Sequence, residues 1–401
     1  MQRKALIMPR MLLLLGTAIL TSTGYAQDPR RGASLDPILQ PYLERYDLPA
    51  LAAAIIKNGE VIASGAVGTR RAGTNSPVMI EDRFHIGSDT KAMTALIAAM
   101  LVEGGKIRWT STVGEVFPEL AATMDLVVKG VTLELLLSHT SGIPSDTDAD
   151  EQLIQQSFTQ EKLNLDELRS WVVKQLVTRP PAIPTGHAVR LRQHGLPARR
   201  GHARTRDRPN LGGAHRGARV RPLAAENGRA RATGDAGPGC DAPLGHEPRE
   251  GARPKPLLAG PGGDNPEVIG PAGTANMSVL DFARWAGWNA AAGQRGPALV
   301  QADTVRKLHT PVIEMPPRPD APPGTPAMGR YGFGWLTITL PFSREPFLFH
   351  GGSNQMNLAD IFVQPKHDFG MVLMTNVGGR RADDALKALA AELYKSFGPE
   401  P

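Results

Sequence analysis

The sequence predicts an α+β fold: an antiparallel sheet flanked by helices, with a mostly helical domain inserted into it. Three observations carry this expectation. Strand patterns occur early, in "LAAAIIKNGEVIASGAVG" from Leu51, and again late, in "PFLFHGG", "LADIFVQ" and "GMVLMTN" from Pro346 onward. Helical periodicity fills much of the chain between them. An Asn-Gly pair separates the first two apolar runs, which is the chemistry of a tight hairpin.

Taken in order, residues 1–26 read as a signal peptide. Arg3, Lys4 and Arg10 supply a positive start, "MLLLLGTAIL" a short apolar run, and Gly24-Tyr25-Ala26 a small-x-small cleavage site. The run is too short to cross a bilayer and no other stretch is long and apolar enough, so a mature protein secreted or periplasmic is expected. Asn58-Gly59 supplies the positive φ angles of the first hairpin. "FHIGSDTKAMTALIAAMLVEGGKI" predicts a buried helix beginning near Ser88 and stopped by Gly104-Gly105. "TLELLLSHTSGIP" predicts a short helix running into a turn. "LNLDELRSWVVKQLV" predicts an amphipathic helix, with Leu165, Leu168, Trp171, Val172 and Leu176 at helical spacing.

"MSVLDFARWAGWNAA" predicts a further helix with Ser278 as its N-cap. "YGFGWLTITL" and the three late strands follow. The closing helix, "ADDALKALAAELYKSF", places Leu386, Leu389, Leu393 and Phe397 on one face. The sheet domain is thus expected from residues 27–115 and 260–401, and the helical domain from 116–259.

Composition excludes several classes. Cys240 is the only cysteine, so no disulfide can form within the chain. The histidines lack metal-ligand spacing, so neither a metal nor an organic cofactor is implied. A formal charge of +6 suggests nucleic acid at first sight. Between His187 and Cys240, however, twelve Arg stand against three acids, giving that segment +9. Residues 1–26 carry +3, so the remainder is −6. The positive charge belongs to one segment, and the expected partner is a small-molecule or peptide substrate, not nucleic acid.

Gly87-Ser88-Asp89-Thr90-Lys91 is the sharpest chemical feature. Ser88 and Lys91 stand one helical turn apart, so the amine reaches the hydroxyl. A serine hydroxyl is a weak nucleophile until a base takes its proton, and a desolvated lysine can be that base. Alone, Ser-x-x-Lys is common on helix surfaces; here it opens an apolar helix after a strand pair. The second feature is "FLFHGGSNQMN", where an apolar strand ends in His350, Gly351, Gly352 and Ser353. Glycines admit a close backbone approach, and the amides of Ser353 and Ser88 make a candidate oxyanion pair. A glycine-rich strand end with a satisfied histidine explains the second motif equally well when it is taken alone.

Together these residues resemble the penicillin-recognising serine hydrolases: class C β-lactamases, DD-peptidases and the related esterases. The resemblance runs from about Leu35 to Asn376, apart from the arginine-rich segment. Its landmarks are "FHIGSDTKAMTAL", "LLLSHTSGIP", "PAGTANMSVLDFARW", "YGFGW" and "HGGSNQMN". It implies a β-lactamase/transpeptidase-like fold, Ser88 as the acylated nucleophile, Lys91 as its proton partner, and His350-Gly351-Gly352 on the sheet side of the cleft. Class C β-lactamases usually carry Lys-Thr-Gly there. His-x-Gly is more typical of the esterase and peptidase relatives, so β-lactam, D-amino-acid peptide and short ester all stay open as substrates. A non-catalytic wall-binding or regulatory protein on the same fold is the competing class.

The resemblance also implies a Tyr-x-Asn or Tyr-x-Ser motif shortly after a Pro-x-Gly turn. Pro184-Thr185-Gly186 is present, yet no tyrosine occurs between Tyr46 and Tyr331. The expected place is instead occupied by "HAVRLRQHGLPARRGHARTRDRPN". Read one base forward, Gln193-His194 encodes Asn or Ser and nothing else. Leu191-Arg192, with their usual codons, permits Tyr. Residues 187–240 are therefore read as translated out of frame, with the frame restored before "APLGHEP". A basic disordered loop, or an arginine-rich segment that orders on nucleic acid, explains the composition but not the missing motif. A segment so poor in large apolar residues cannot supply core helices, so the helical domain is expected to be incomplete and activity weak.

Overall fold

The computed structural model describes residues 32–143, 148–160, 162–181, 183–186, 242–258, 263–315 and 329–400. The arginine-rich segment lies outside the described residues, as does the leader.

A nine-stranded sheet organises the molecule. In chain order its strands are β1 (Ala33–Ser34), β2 (Ala50–Lys57), β3 (Glu60–Gly68), β4 (Ile313–Met315), β5 (Gly329–Tyr331), β6 (Leu336–Ile338), β7 (Phe347–Ser353), β8 (Leu358–Gln364) and β9 (Phe369–Thr375). Across the sheet they lie in the order β1-β3-β2-β9-β8-β7-β6-β5-β4. Only the short β1 runs parallel to its neighbour, β3. The hairpin between β2 and β3 turns at Asn58 (φ 53°) and Gly59 (φ 80°), the positive angles that dipeptide supplies without strain. The early and late strands meet at the centre, where Leu51 faces Thr375 and Lys57 faces Phe369.

Both faces of the central strands are covered, which is why β2 reads as a continuous apolar run instead of an alternation. Ala50, Ala52, Ala54 and Ile56 point to one layer, with α2 (Thr90–Glu103) and α5 (Val279–Ala290). Leu51, Ala53 and Ile55 point to the other, with α1 (Asp36–Arg45) and α6 (Arg380–Phe397). Leu386, Leu389 and Leu393 of α6 are fully buried there and Phe397 packs at the margin, as the spacing predicts. Ser278 caps α5 by accepting from the Asp281 N–H.

The predicted short helix is α3 (Leu133–Leu137), and the amphipathic one is α4 (Leu165–Leu176). Asn164 and Glu167 form a reciprocal capping box at the start of α4. Val172 is buried against Leu153 and Val268, with Leu168, Trp171 and Leu176 around them. A two-stranded ladder between Arg83–His85 and Asn276–Ser278 was not legible in the sequence. It ties the approach to Ser88 to the start of α5. Among the described residues, no helix is long and apolar enough to cross a membrane.

Candidate active site

Ser88 lies in a single tight turn, Gly87–Asp89, that feeds directly into α2. The sequence places the helix start near Ser88; the regular helix begins two residues later, at Thr90. The spacing survives this adjustment. Lys91 Nζ donates to Ser88 Oγ at 2.7 Å and to the Ala272 carbonyl at 3.1 Å. Its amine is thus held by acceptors from two elements, within reach of the serine hydroxyl.

The turn sits against the end of β7. Gly87 has φ 51°, and a Cβ there would collide with the Ser353 N–H. A Cβ on Gly352 would collide with the Ile86 carbonyl and press on the Ser88 amide at 2.8 Å. Glycine at both positions therefore lets the nucleophile turn and the strand end pack backbone to backbone. This close packing brings together every predicted site residue: Ser88 and Lys91 on the turn and helix, with His350, Gly351, Gly352 and Ser353 on the strand. Gly352→Ala is expected to cost about 1–3 kcal/mol of stability through overpacking. It should also abolish covalent labelling of Ser88, read by thermal melting and a fluorescent penicillin. Normal labelling would show that the turn and strand separate cheaply.

His350 is buried, and its Nδ1 lies 2.9 Å from the Gly351 carbonyl. A carbonyl only accepts, so Nδ1 carries the proton and Nε2 is left as an acceptor. Burial first, and Lys91 second, push its pKa down to about 3, so the ring is neutral at working pH. Asp89 Oδ1 lies 3.6 Å from the same Nδ1. Burial raises the Asp89 pKa well above the usual carboxylate range, and Asp360 adds to the effect. Neither carboxyl oxygen has a hydrogen-bond partner among the described residues.

Sequence reasoning assigned no role to His139 and Tyr331, whose rings lie beside His350. His139 follows α3 with φ 56°, a conformation costly for a residue with a Cβ. Burial and Lys91 hold its pKa down to about 4. Its ring centroid is 5.2 Å from that of Tyr331, which in turn is 6.3 Å from that of His350. The Pro184-Thr185-Gly186 turn docks beside it, with the Gly186 N–H donating to the Thr140 carbonyl at 2.8 Å. The signal was available in "SHTSGIP", but only its turn character could be read. Among the described residues no cluster of His, Cys, Asp or Glu is arranged to hold a metal ion.

The site thus consists of a serine–lysine pair at a helix start packed against a glycine-rich sheet strand. Residues 35–190 match the Beta-lactamase family. Penicillin-binding protein 4 of Amycolatopsis lactamdurans is 34% identical over 116 residues, covering 27% of this chain and 30% of that protein. Protein flp of Staphylococcus aureus is 26% identical over 119 residues, covering 30% of this chain and 24% of that protein. The chain thus spans under a third of the curated relatives it matches. The fold extends further: D-alanine carboxypeptidase AmpC from Burkholderia cenocepacia superposes with a TM-score of 0.59 at 16% identity, over 90% of this chain and 98% of that one. By sequence the likeness to the penicillin-recognising serine hydrolases covers residues 35–190, and beyond that stretch it is a likeness of fold.

Proposed function

We propose that this chain encodes an exported serine hydrolase that forms an acyl-enzyme on Ser88, with residues 187–240 read out of frame. The observation that carries the chemistry is the 2.7 Å contact from Lys91 Nζ to Ser88 Oγ beside the end of β7. In the acylation step the Lys91 amine, acting as the base, takes the hydroxyl proton while Ser88 Oγ bonds to the substrate carbonyl carbon. The amides of Ser88 and Ser353 receive the developing oxyanion. The Lys91 ammonium returns that proton to the leaving amine or alkoxide as its bond to carbon breaks, and water then hydrolyses the serine ester, releasing the acid and restoring the Ser88 hydroxyl. No metal or organic cofactor enters these steps.

Two observations support the frame reading. The family match ends at 190, just inside the segment that begins at His187. From Ala242 on the described chain is packed into the fold: Leu244 is 1% exposed, and His246 accepts from the Ala72 N–H and donates to the Asn376 carbonyl. Sequencing the DNA across codons 180 to 245 tests it, since a shifted frame should encode Tyr-x-Asn followed by helix-forming sequence. If no frame does, the basic segment is genuine.

The substrate is a β-lactam, a D-amino-acid peptide or a short ester. The neutral state of His350 favours the ester, because the sheet wall then offers no cation to a substrate carboxylate. The absence of a tyrosine between Tyr46 and Tyr331 favours the competing reading, an inactive binding or regulatory protein. Treatment with a fluorescent penicillin or a fluorophosphonate decides between them. A hydrolase labels at Ser88 and loses the label in Ser88→Ala; a binding protein does not label.

A further inference from the structure

A line of polar side chains joins the two halves of the oxyanion pair from behind, and the acyl-transfer steps above do not use it. His85 closes the strand before the nucleophile turn and is 1% exposed. The Gly87 N–H donates to its Nδ1 at 3.0 Å. Nδ1 therefore bears the lone pair, and Nε2 the proton. Nε2 lies 3.0 Å from Asp264 Oδ1, a close contact though not aligned as a full hydrogen bond. Asp264 Oδ1 also accepts from the backbone N–H of Asn265 at 2.7 Å and from Asn354 Nδ2 at 3.3 Å.

Asn354 is the residue after Ser353, and its Oδ1 is held by the Met356 N–H and Asn357 Nδ2. Asn265 Nδ2 in turn donates to the Gly273 carbonyl at 2.7 Å, next to the Ala272 carbonyl that receives Lys91. One aspartate thus touches the group before the nucleophile and the group after the second oxyanion donor. These lie on elements far apart in sequence that meet only in the fold.

We propose that His85, with Asp264 and Asn354, is a positioning device that fixes the spacing between the Ser88 and Ser353 amides, and through it the acylation rate. This rests on Ser88 being the nucleophile. Misplacing reacting groups by about 1 Å can cost on the order of 10²-fold, so loss of the device should be visible in rate before it is visible in folding.

The test is the rate of Ser88 labelling by a fluorophosphonate in the full chain, together with amide hydrogen exchange of the unlabelled protein. His85→Ala and Asp264→Ala should each slow labelling about tenfold to a hundredfold. The double variant should be no slower than the slower single one, because both remove the same linkage. His85→Asn keeps an acceptor near Gly87 but cannot reach Asp264, and should not restore the rate. Asp264→Asn, which keeps an oxygen and the volume, gives an intermediate loss and serves if an alanine variant fails to fold. In the exchange experiment, Asp264→Ala or Asp264→Asn should raise exchange in both the 85–89 and the 351–355 segments.

Additive losses, full rescue by His85→Asn, or exchange that rises only around Asp264 would overturn the proposal. If the parent chain does not label, the nucleophile reading fails on its own. Exchange then still decides whether Asp264 couples the two segments.

Discussion

Replacing Lys91 by alanine should slow acylation of Ser88 by about 10²–10⁴-fold, the usual worth of a positioned proton acceptor. The side chain lies partly outside the core and its amine binds Ser88 Oγ and the Ala272 carbonyl, so the folding cost should be only about 1 kcal/mol from the unmet carbonyl. Lys91→Arg is the informative partner. A guanidinium keeps the positive charge but cannot give up its proton near neutral pH. If Lys91 acts as the base, arginine should be nearly as damaging as alanine, read from fluorophosphonate labelling rates with thermal melting as the folding control. An arginine variant labelling at the parent rate would show that charge alone suffices.

Shifting the frame by one base across codons 187 to 240 should raise steady-state hydrolysis of a p-nitrophenyl ester or chromogenic β-lactam by about 10²–10⁴-fold, because it supplies the missing tyrosine as a proton shuttle. The gain should fall mainly on deacylation: the parent chain should show a burst followed by slow turnover, and the shifted chain fast turnover. The melting temperature should rise too if the shifted frame spells the apolar helix-forming sequence expected of it. Parent protein already turning over at ordinary enzyme rates would sink this expectation and the frame reading with it.

Periodicity made most of the fold legible. The Asn58-Gly59 hairpin, the buried helix stopped by Gly104, the Ser278 cap and the apolar face of α6 each follow from local chemistry that acts within a few residues. The reactive pair was legible for the same reason, since Ser88 and Lys91 are separated by one turn. What sequence reasoning missed depends on long-range meeting. His85 and Asp264 have ordinary local patterns, and nothing near either one announces the other. His139 looked like part of a turn because its proximity to Tyr331 arises only when α3 packs beside the sheet. The short ladder of Arg83–His85 with Asn276–Ser278 is similarly too brief to carry a period.

The pairing of β2 with β9 has a consequence for how the polypeptide can be made. Thr375 Oγ1 donates to the Ala50 carbonyl across 325 positions of sequence. During synthesis the first hairpin emerges with one apolar edge open, and its partner arrives only near the end. Unpaired strand edges of this kind recruit other chains. A ribosome that stops anywhere upstream of Phe369 therefore releases a sticky half-sheet, whereas an altered stretch in the middle leaves the central seam able to close. For this architecture, reaching the last strand decides whether the central seam can close at all.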